Sequence, residues 1–293
     1  MKKITIAFLS FLLILTAFES NGQIELPAPS PAGTTYSKVG LTDIEISYFR
    51  PKMKGRKIFG AGDGYLLQYG QIWRTGANSG TVLSFSDDVS IDGHSVEAGK
   101  YLLYTIPDKD KWIIGFYSDV SIGGGIQAGL KEEDVAYKLA VTPGKLTEPV
   151  EVLTINISDI SEDNTSAAIE IAWENTSVKV PFEVNFEDKI MASIEANTTV
   201  RPQNYVAAAN YYFSTGKDPQ QALEWITMYF DSNEEYQSQF WNLHLMAQIQ
   251  AATGDTKGAK ATAEKSIEIA KNSEGGDFGY IKRNEDFIAS LKK

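Results

Sequence analysis

The chain has 293 residues, 43% of them hydrophobic, with no cysteine, two histidines and a formal net charge of −11. That length and composition admit two domains with real apolar cores, and the acidic balance argues against general binding to nucleic acid or to anionic membrane surfaces. Absence of cysteine removes a disulfide framework, thiolate metal sites and a thiol nucleophile, and the distant pair His94 and His244 sets aside multi-histidine metal centres and serine–histidine hydrolysis.

In chain order, Lys2 and Lys3 precede an apolar run from Ile4 to Phe18, and Ser20-Asn21-Gly22 supplies small residues before Gln23. This predicts a secretory signal peptide over 1–22, since the run falls short of the ~20 residues of a spanning helix. No membrane span is expected after its cleavage. From about Thr34 to Val184 the apolar residues alternate, as in "DIEISYF", "TVLSFS", "KYLLYTI" and "KWIIGFY", which predicts strands. Asp92-Gly93 reads as a tight hairpin turn, with His94 exposed beside it. Ala98-Gly99 and Pro107 to Asp110 mark further turns, so 84–117 reads as an antiparallel meander. "GGGIQAGLKEED" at 123–134 interrupts it as a loop or short helix.

After Phe186 the period changes to that of helices. Tyr205, Ala208, Ala209 and Tyr212 share one face, and Ala222, Trp225, Ile226 and Tyr229 another. Gly216 then Asp218-Pro219, and Gly254 then Asp255, punctuate two helical hairpins. Their spacing is similar to that of tetratricopeptide repeats, although it is wider and the aromatic positions are only partly filled. The expected architecture is therefore α+β in two domains. An antiparallel β-sandwich or jelly-roll-like domain spans 23–186, and a helical, tetratricopeptide-like region spans 187–293.

Three strings carry a family resemblance: "RPKMKGRKIFG", "YGQIWRTGAN" and "AGKYLLYTIP", in that order. With them, residues from about Ser30 to Val184 resemble the bacterial family called domain of unknown function 2911. The chain departs from the family pattern at "AGDGYLLQYG", a longer and more glycine-rich link. The resemblance implies a β-rich fold, export from a Bacteroidota-type bacterium and a helical tail. It implies no activity.

Chemistry concentrates in two places. In "YGQIWRTGANSGT" (69–81) Arg74 offers a forked set of five donors, Asn78 donors and an acceptor, and Thr75 a hydroxyl. Trp73 and Tyr69 offer flat walls for a sugar or aromatic group. In "RPKMKGRKIFG", Arg50, Lys54 and Arg56 head a basic loop suited to an anion. Ile46 to Ser86 holds six basic residues against Asp63 alone, a positive island in an acidic protein. For both strings the alternative is structural: Arg74 paired with an acidic residue of its own domain and Asn78 satisfying a turn, and the basic loop solvated.

Paired carboxylates at Asp87-Asp88, Glu132-Glu133-Asp134 and Glu162-Asp163 are candidates for glycosidase-like chemistry by abundance alone. "DVSIDG" lacks the acidic twelfth position of a calcium loop, where Gly99 stands. The reading that follows is an exported, non-catalytic binding or scaffold protein of the envelope, with no cofactor or metal. It predicts a small anionic or polyhydroxyl ligand at Arg74 and Asn78, and a protein partner for the helical region along Tyr205, Tyr212, Trp225 and Tyr229. The alternative is a carboxylate-dependent hydrolase of envelope glycans.

Overall fold

The structure, a computed structural model, describes residues 26–198 and 201–291; the expected signal peptide, 1–22, lies outside them. Two compact units divide between Asn185 and Phe186. The first holds β1 (Ala32–Val39), β2 (Thr42–Phe49), β3 (Lys57–Gly60), β4 (Tyr65–Gln68), β5 (Thr81–Phe85), β6 (Val89–Ile91) and β7 (His94–Val96). It continues with β8 (Gly99–Ile106), β9 (Trp112–Tyr117), the short helix α1 (Ile126–Gly129), β10 (Val135–Val141), β11 (Gly144–Ser158) and β12 (Ser166–Val184).

A six-stranded antiparallel sheet runs β1-β2-β5-β8-β9-β10, a four-stranded one β11-β12-β6-β7, and β3-β4 form a small parallel pair. Alternation explains the pairing. Ile44, Ile46, Leu83, Phe85, Leu103, Ile114 and Phe116 turn inward from the larger sheet and are buried. Ile91, Leu153, Ile155, Ile169, Ile171 and Phe182 are buried from the smaller one. Phe85 and Phe182 meet across the gap with ring centroids 6.1 Å apart.

The 84–117 stretch differs from the expected single meander. After Phe85 the chain crosses to the smaller sheet for β6 and β7, then returns as β8. Alternation marks these segments as strands but carries no information on which sheet each joins. The Asp92-Gly93 turn matches expectation: both residues have positive φ (52° and 76°), as a type I′ hairpin requires.

The run "YLLYT" in β8 is buried on both faces. Leu102 and Tyr104 therefore need cover on the outer side of the sheet. Residues 118–134 provide it, placing Ile122, Ile126 and Leu130 against Leu102, Tyr104 and Tyr117. This segment closes on itself. The Ser118 N–H and hydroxyl both donate to the Asp134 carbonyl, at 2.9 and 2.8 Å, and the Tyr117 hydroxyl donates to the Asp134 carboxylate at 3.0 Å.

The second unit comprises α2 (Glu187–Thr198), α3 (Pro202–Ser214), α4 (Pro219–Ser232), α5 (Phe240–Ala252), α6 (Thr256–Lys271) and α7 (Tyr280–Ser290). Helices α3–α4 and α5–α6 pair as hairpins, and α7 packs on α5 and α6. The expected punctuation is in place. Asp218 caps α4 by accepting from the Gln220 and Gln221 N–H groups, and Asp255 caps α6 by accepting from that of Gly258. Tyr229 is buried, and Tyr205, Tyr212 and Trp225 pack half-buried on the same core around Ile226 and Leu243. These aromatics thus build the unit's own interior and not the exposed groove that a partner was expected to fill. Among the described residues no helix is long and apolar enough to cross a membrane.

Between β11 and β12, Asp163 accepts hydrogen bonds from the Ser161 hydroxyl (2.6 Å) and from the Thr165 hydroxyl and N–H (2.8 and 3.1 Å). These bonds, that of Ser161 foremost, hold its carboxyl down to about 2. A carboxyl depressed in the folded state contributes stability above its ordinary 3.8, and that contribution is lost as pH falls toward 2. An NMR titration of the Asp163 side-chain carboxyl carbon should show a midpoint near 2, rising in Ser161→Ala. A midpoint near 3.8 in the unaltered protein contradicts the turn geometry.

Candidate functional site

The 69–81 stretch is held along the end of β8. Trp73 and Thr105 exchange backbone hydrogen bonds of 2.7 and 2.9 Å, and the Gly70 N–H donates to the Pro107 carbonyl at 2.9 Å. Extended residues alternate in direction, so Trp73 and Thr75 turn inward while Ile72 and Arg74 turn outward. The Trp73 indole, 3% exposed, stacks on Trp173 at 5.7 Å and meets Phe59 and Trp112 edge-on. Its Nε1–H donates to the Gly76 carbonyl at 3.0 Å. Thr75 is fully buried at φ 50°, a rare backbone for a β-branched residue, and its carbonyl accepts from the Thr81 hydroxyl at 2.6 Å. Trp73 and Thr75 are thus core groups with no face open to a ligand.

Arg74 bridges two loops. Its Nη1 donates to the Asn78 carbonyl and its Nη2 to Gln127 Oε1, both at 2.9 Å, and Gln127 Nε2 donates back to the Ile72 carbonyl at 3.0 Å. Glycine is needed opposite. A Cβ on Gly124 would stand 2.8 Å from Arg74 Nη1 and closer still to the Asn78 carbonyl. Gly123 adopts φ 52°, ψ −127°, a region that residues with a Cβ rarely enter. Arg74 therefore clasps the 72–80 loop to the 122–127 segment, while the Asn78 side chain stands exposed at the loop tip. Sequence reasoning missed Gln127 and the three glycines at 123–125. The signal was there, because consecutive glycines between apolar residues mark a close backbone approach.

The basic loop meets different partners. It runs along β11, the edge of the smaller sheet, with the Met53 N–H donating to the Glu151 carbonyl (2.8 Å) and the Leu153 N–H to the Pro51 carbonyl (3.0 Å). Arg50 donates to the Leu153 carbonyl and to Thr154 Oγ1, each at 3.2 Å. The Lys54 N–H donates to Glu151 Oε1 at 2.9 Å, and Arg56 folds back onto the Met53 and Lys52 carbonyls. The loop covers an exposed sheet edge, a position where unpaired backbone groups invite aggregation. Tyr69 borders another cavity, of about 250 Å³, with Trp112, Asp108 and Lys145. Burial, ahead of Tyr65 and Asp108, pushes its hydroxyl pKa up. The hub residues and the basic loop thus engage separate parts of the fold.

A different cavity, of about 390 Å³, opens on the outer face of β8, β9 and β10. Two cross-strand rows form its floor: Tyr104, Gly115 and Lys138, then Ile106, Ile113 and Ala140. Ile72, Leu130, Glu132 and Leu139 complete its lining. Gly115 has no Cβ, so the hydroxyl end of the Tyr104 ring lies directly over it. Tyr104 is 2% exposed, yet no hydrogen bond from its hydroxyl to another described residue is present. Burial raises its pKa, with Lys138 opposing and Glu132 adding to the shift. Lys138 Nζ and Glu132 Oε2 form an exposed ion pair of 2.7 Å at the mouth. The Arg74 clasp reaches this cavity through Gln127, which grips the Ile72 carbonyl.

Four of the expected carboxylate candidates have local structural partners. Asp88 caps the Ala98 N–H, Glu132 holds Lys138, Asp134 accepts from Tyr117, and Asp163 organises its turn. Among the described residues no three His, Cys, Asp or Glu side chains are grouped to hold a metal ion.

The family described as protein of unknown function, DUF2911, matches residues 30–182, just over half of the chain. The chain belongs to the DUF2911 family. No curated protein and no solved structure matches it. The DUF2911 region contains the Arg74 clasp, the basic edge cover and the outer-face cavity together, whereas the helical unit lies beyond the match.

Arg74→Ala removes two charge-assisted hydrogen bonds without stranding a carboxylate. The expected loss is about 1–3 kcal/mol, read as a lower denaturation midpoint by the fluorescence of Trp73, Trp112 and Trp173. Arg74→Lys should recover little, since a single ammonium cannot span the two acceptors as the fork does. Loss below about 0.5 kcal/mol, the range of an ordinary surface substitution, contradicts the clasp.

Proposed function

We propose that this DUF2911 protein is an exported, non-catalytic binding protein of the bacterial envelope whose ligand site is the outer-face cavity of the β unit. One observation carries the reading: an apolar cavity of about 390 Å³ has in its lining a tyrosine, Tyr104, whose hydroxyl meets no other described residue. That combination of an apolar lining with few placed polar groups is typical of small-ligand sites. In this reading the 69–81 string shapes the wall through Ile72 and contributes no direct contact from Arg74. Export rests on the charged and apolar pattern of residues 1–18. The helical unit is assigned to contact with a protein partner, on the face where exposed Trp241 borders a cavity of about 450 Å³ with Gln203, Asn210 and Gln248.

The test uses the mature chain, Gln23 to Lys293, in thermal melts against 1-octanol and octanoate. A ligand at a hundred times its dissociation constant adds about 2.7 kcal/mol, readily visible as a melting shift. Ala140 is exposed on β10, and Ala140→Trp places a bulky ring at the cavity while suiting a strand. The native chain should shift and Ala140→Trp should not, with circular dichroism of the two unchanged. A shift of equal size in Ala140→Trp places binding elsewhere and overturns the reading.

A further inference from the structure

We infer that the outer-face cavity selects an anionic amphiphile, a medium-chain monocarboxylate, whose carboxylate displaces Glu132 from Lys138 and accepts a hydrogen bond from Tyr104. This rests on the cavity being the ligand site, as proposed above, and names what it takes.

Tyr104 and Lys138 can both donate to a ligand at the cavity, the phenol being able to accept as well. Tyr104 has one O–H and Lys138 three N–H donors, of which one meets Glu132. Glu132 is the acidic member of the lining, and its carboxylate is already turned toward Lys138. A cationic head group would face two donors and a competing ammonium, and a polyhydroxyl ligand would bury many hydroxyls against Ile72, Ile106, Ile113 and Leu139 without partners. A carboxylate has only acceptors and matches the set.

Register places the donors for one head group. Tyr104, Gly115 and Lys138 lie in a single row across three adjacent strands, and the Tyr104 hydroxyl end reaches over Gly115 toward the strand of Lys138. Neighbouring strands lie about 4.8 Å apart. A ligand oxygen beyond the Tyr104 hydroxyl, on the side of Lys138, is therefore within reach of both the phenol and the flexible ammonium. The next row, Ile106, Ile113 and Ala140, continues the floor under an alkyl chain, with Ile72 and Leu130 beside it.

Exchange at Lys138 is easy. The Glu132 side chain is 71% exposed and that of Lys138 49%, and ion pairs so placed are weak. Glu132 also belongs to the short turn Glu132–Asp134 at the end of the covering segment, so it can swing to solvent without disturbing a strand. It then acts as a resident competitor, which a carboxylate with an apolar tail displaces and a free carboxylate such as acetate does not.

Isothermal titration of octanoate and 1-octanol into the same mature chain tests the assignment. Octanoate should bind about tenfold more tightly than octanol, the worth of one charge-assisted hydrogen bond. Lys138→Met, which keeps an unbranched apolar stem, should erase that preference while leaving octanol unchanged. Glu132→Gln should tighten octanoate several-fold, and Tyr104→Phe should weaken both ligands. Equal affinity for octanol and octanoate, with both lost in Ala140→Trp, overturns the carboxylate assignment and leaves the cavity as the binding site. Octanoate binding that survives Ala140→Trp, or no binding of either ligand at millimolar concentration, overturns both.

Discussion

Insertion of Trp73 into the core is the constraint on which the site depends. Its indole stacks on Trp173 of the smaller sheet while its backbone pairs with Thr105 of the larger one. The residue therefore ties both layers of the sandwich to one loop. Because neighbours in an extended segment point to opposite sides, anchoring Trp73 inward leaves Ile72 and Arg74 on the outer face. Ile72 then lines the cavity, and Arg74 reaches the segment that covers it. Core packing and site geometry are two consequences of the same backbone register.

The polar groups of the 69–81 string are explained by the backbone they must satisfy. A loop that reverses between Thr75, Asn78 and Gly80 leaves carbonyls without strand partners, and a buried unpaired carbonyl is costly. Trp73 Nε1, the Thr81 hydroxyl and the Arg74 guanidinium each meet one. Gln127 completes the circuit by accepting from Arg74 and donating to Ile72. The cluster is dense because one loop has to be fastened to the core on one side and to the cover on the other.

Local chemistry was legible from the sequence, and tertiary partnership was not. The type I′ turn at Asp92-Gly93, the cap Asp218 with Pro219, and the Gly254–Asp255 break all follow from residue-specific backbone preferences. The two-period division into a β half and a helical half follows from hydrophobic spacing. Crossing from β5 to β6 was hidden, because alternation is the same whichever sheet a strand joins. The basic loop announced its charge but not its place, since two of the bonds that fix it to β11 are backbone bonds and the others join residues about a hundred positions apart. The cavity was harder still. Ile72, Tyr104, Ile113, Leu130 and Lys138 come from separate segments, and each reads alone as an ordinary strand or loop residue. Gly115 was the available clue, a glycine inside a strand that allows a neighbouring ring to lie flat.

In the function proposed, ligand enters the outer-face cavity and not the Arg74–Asn78 surface. The most direct test is methyl-selective NMR of the octanoate-saturated chain, with isotope-labelled isoleucine, leucine and alanine methyl groups. Intermolecular contacts should run from the octanoate chain to Ile106, Ile113 and Ala140, with the backbone signals of Asn78 and Lys54 unmoved. Contacts confined to the 74–80 loop, or shifts centred on the basic loop, would contradict this placement.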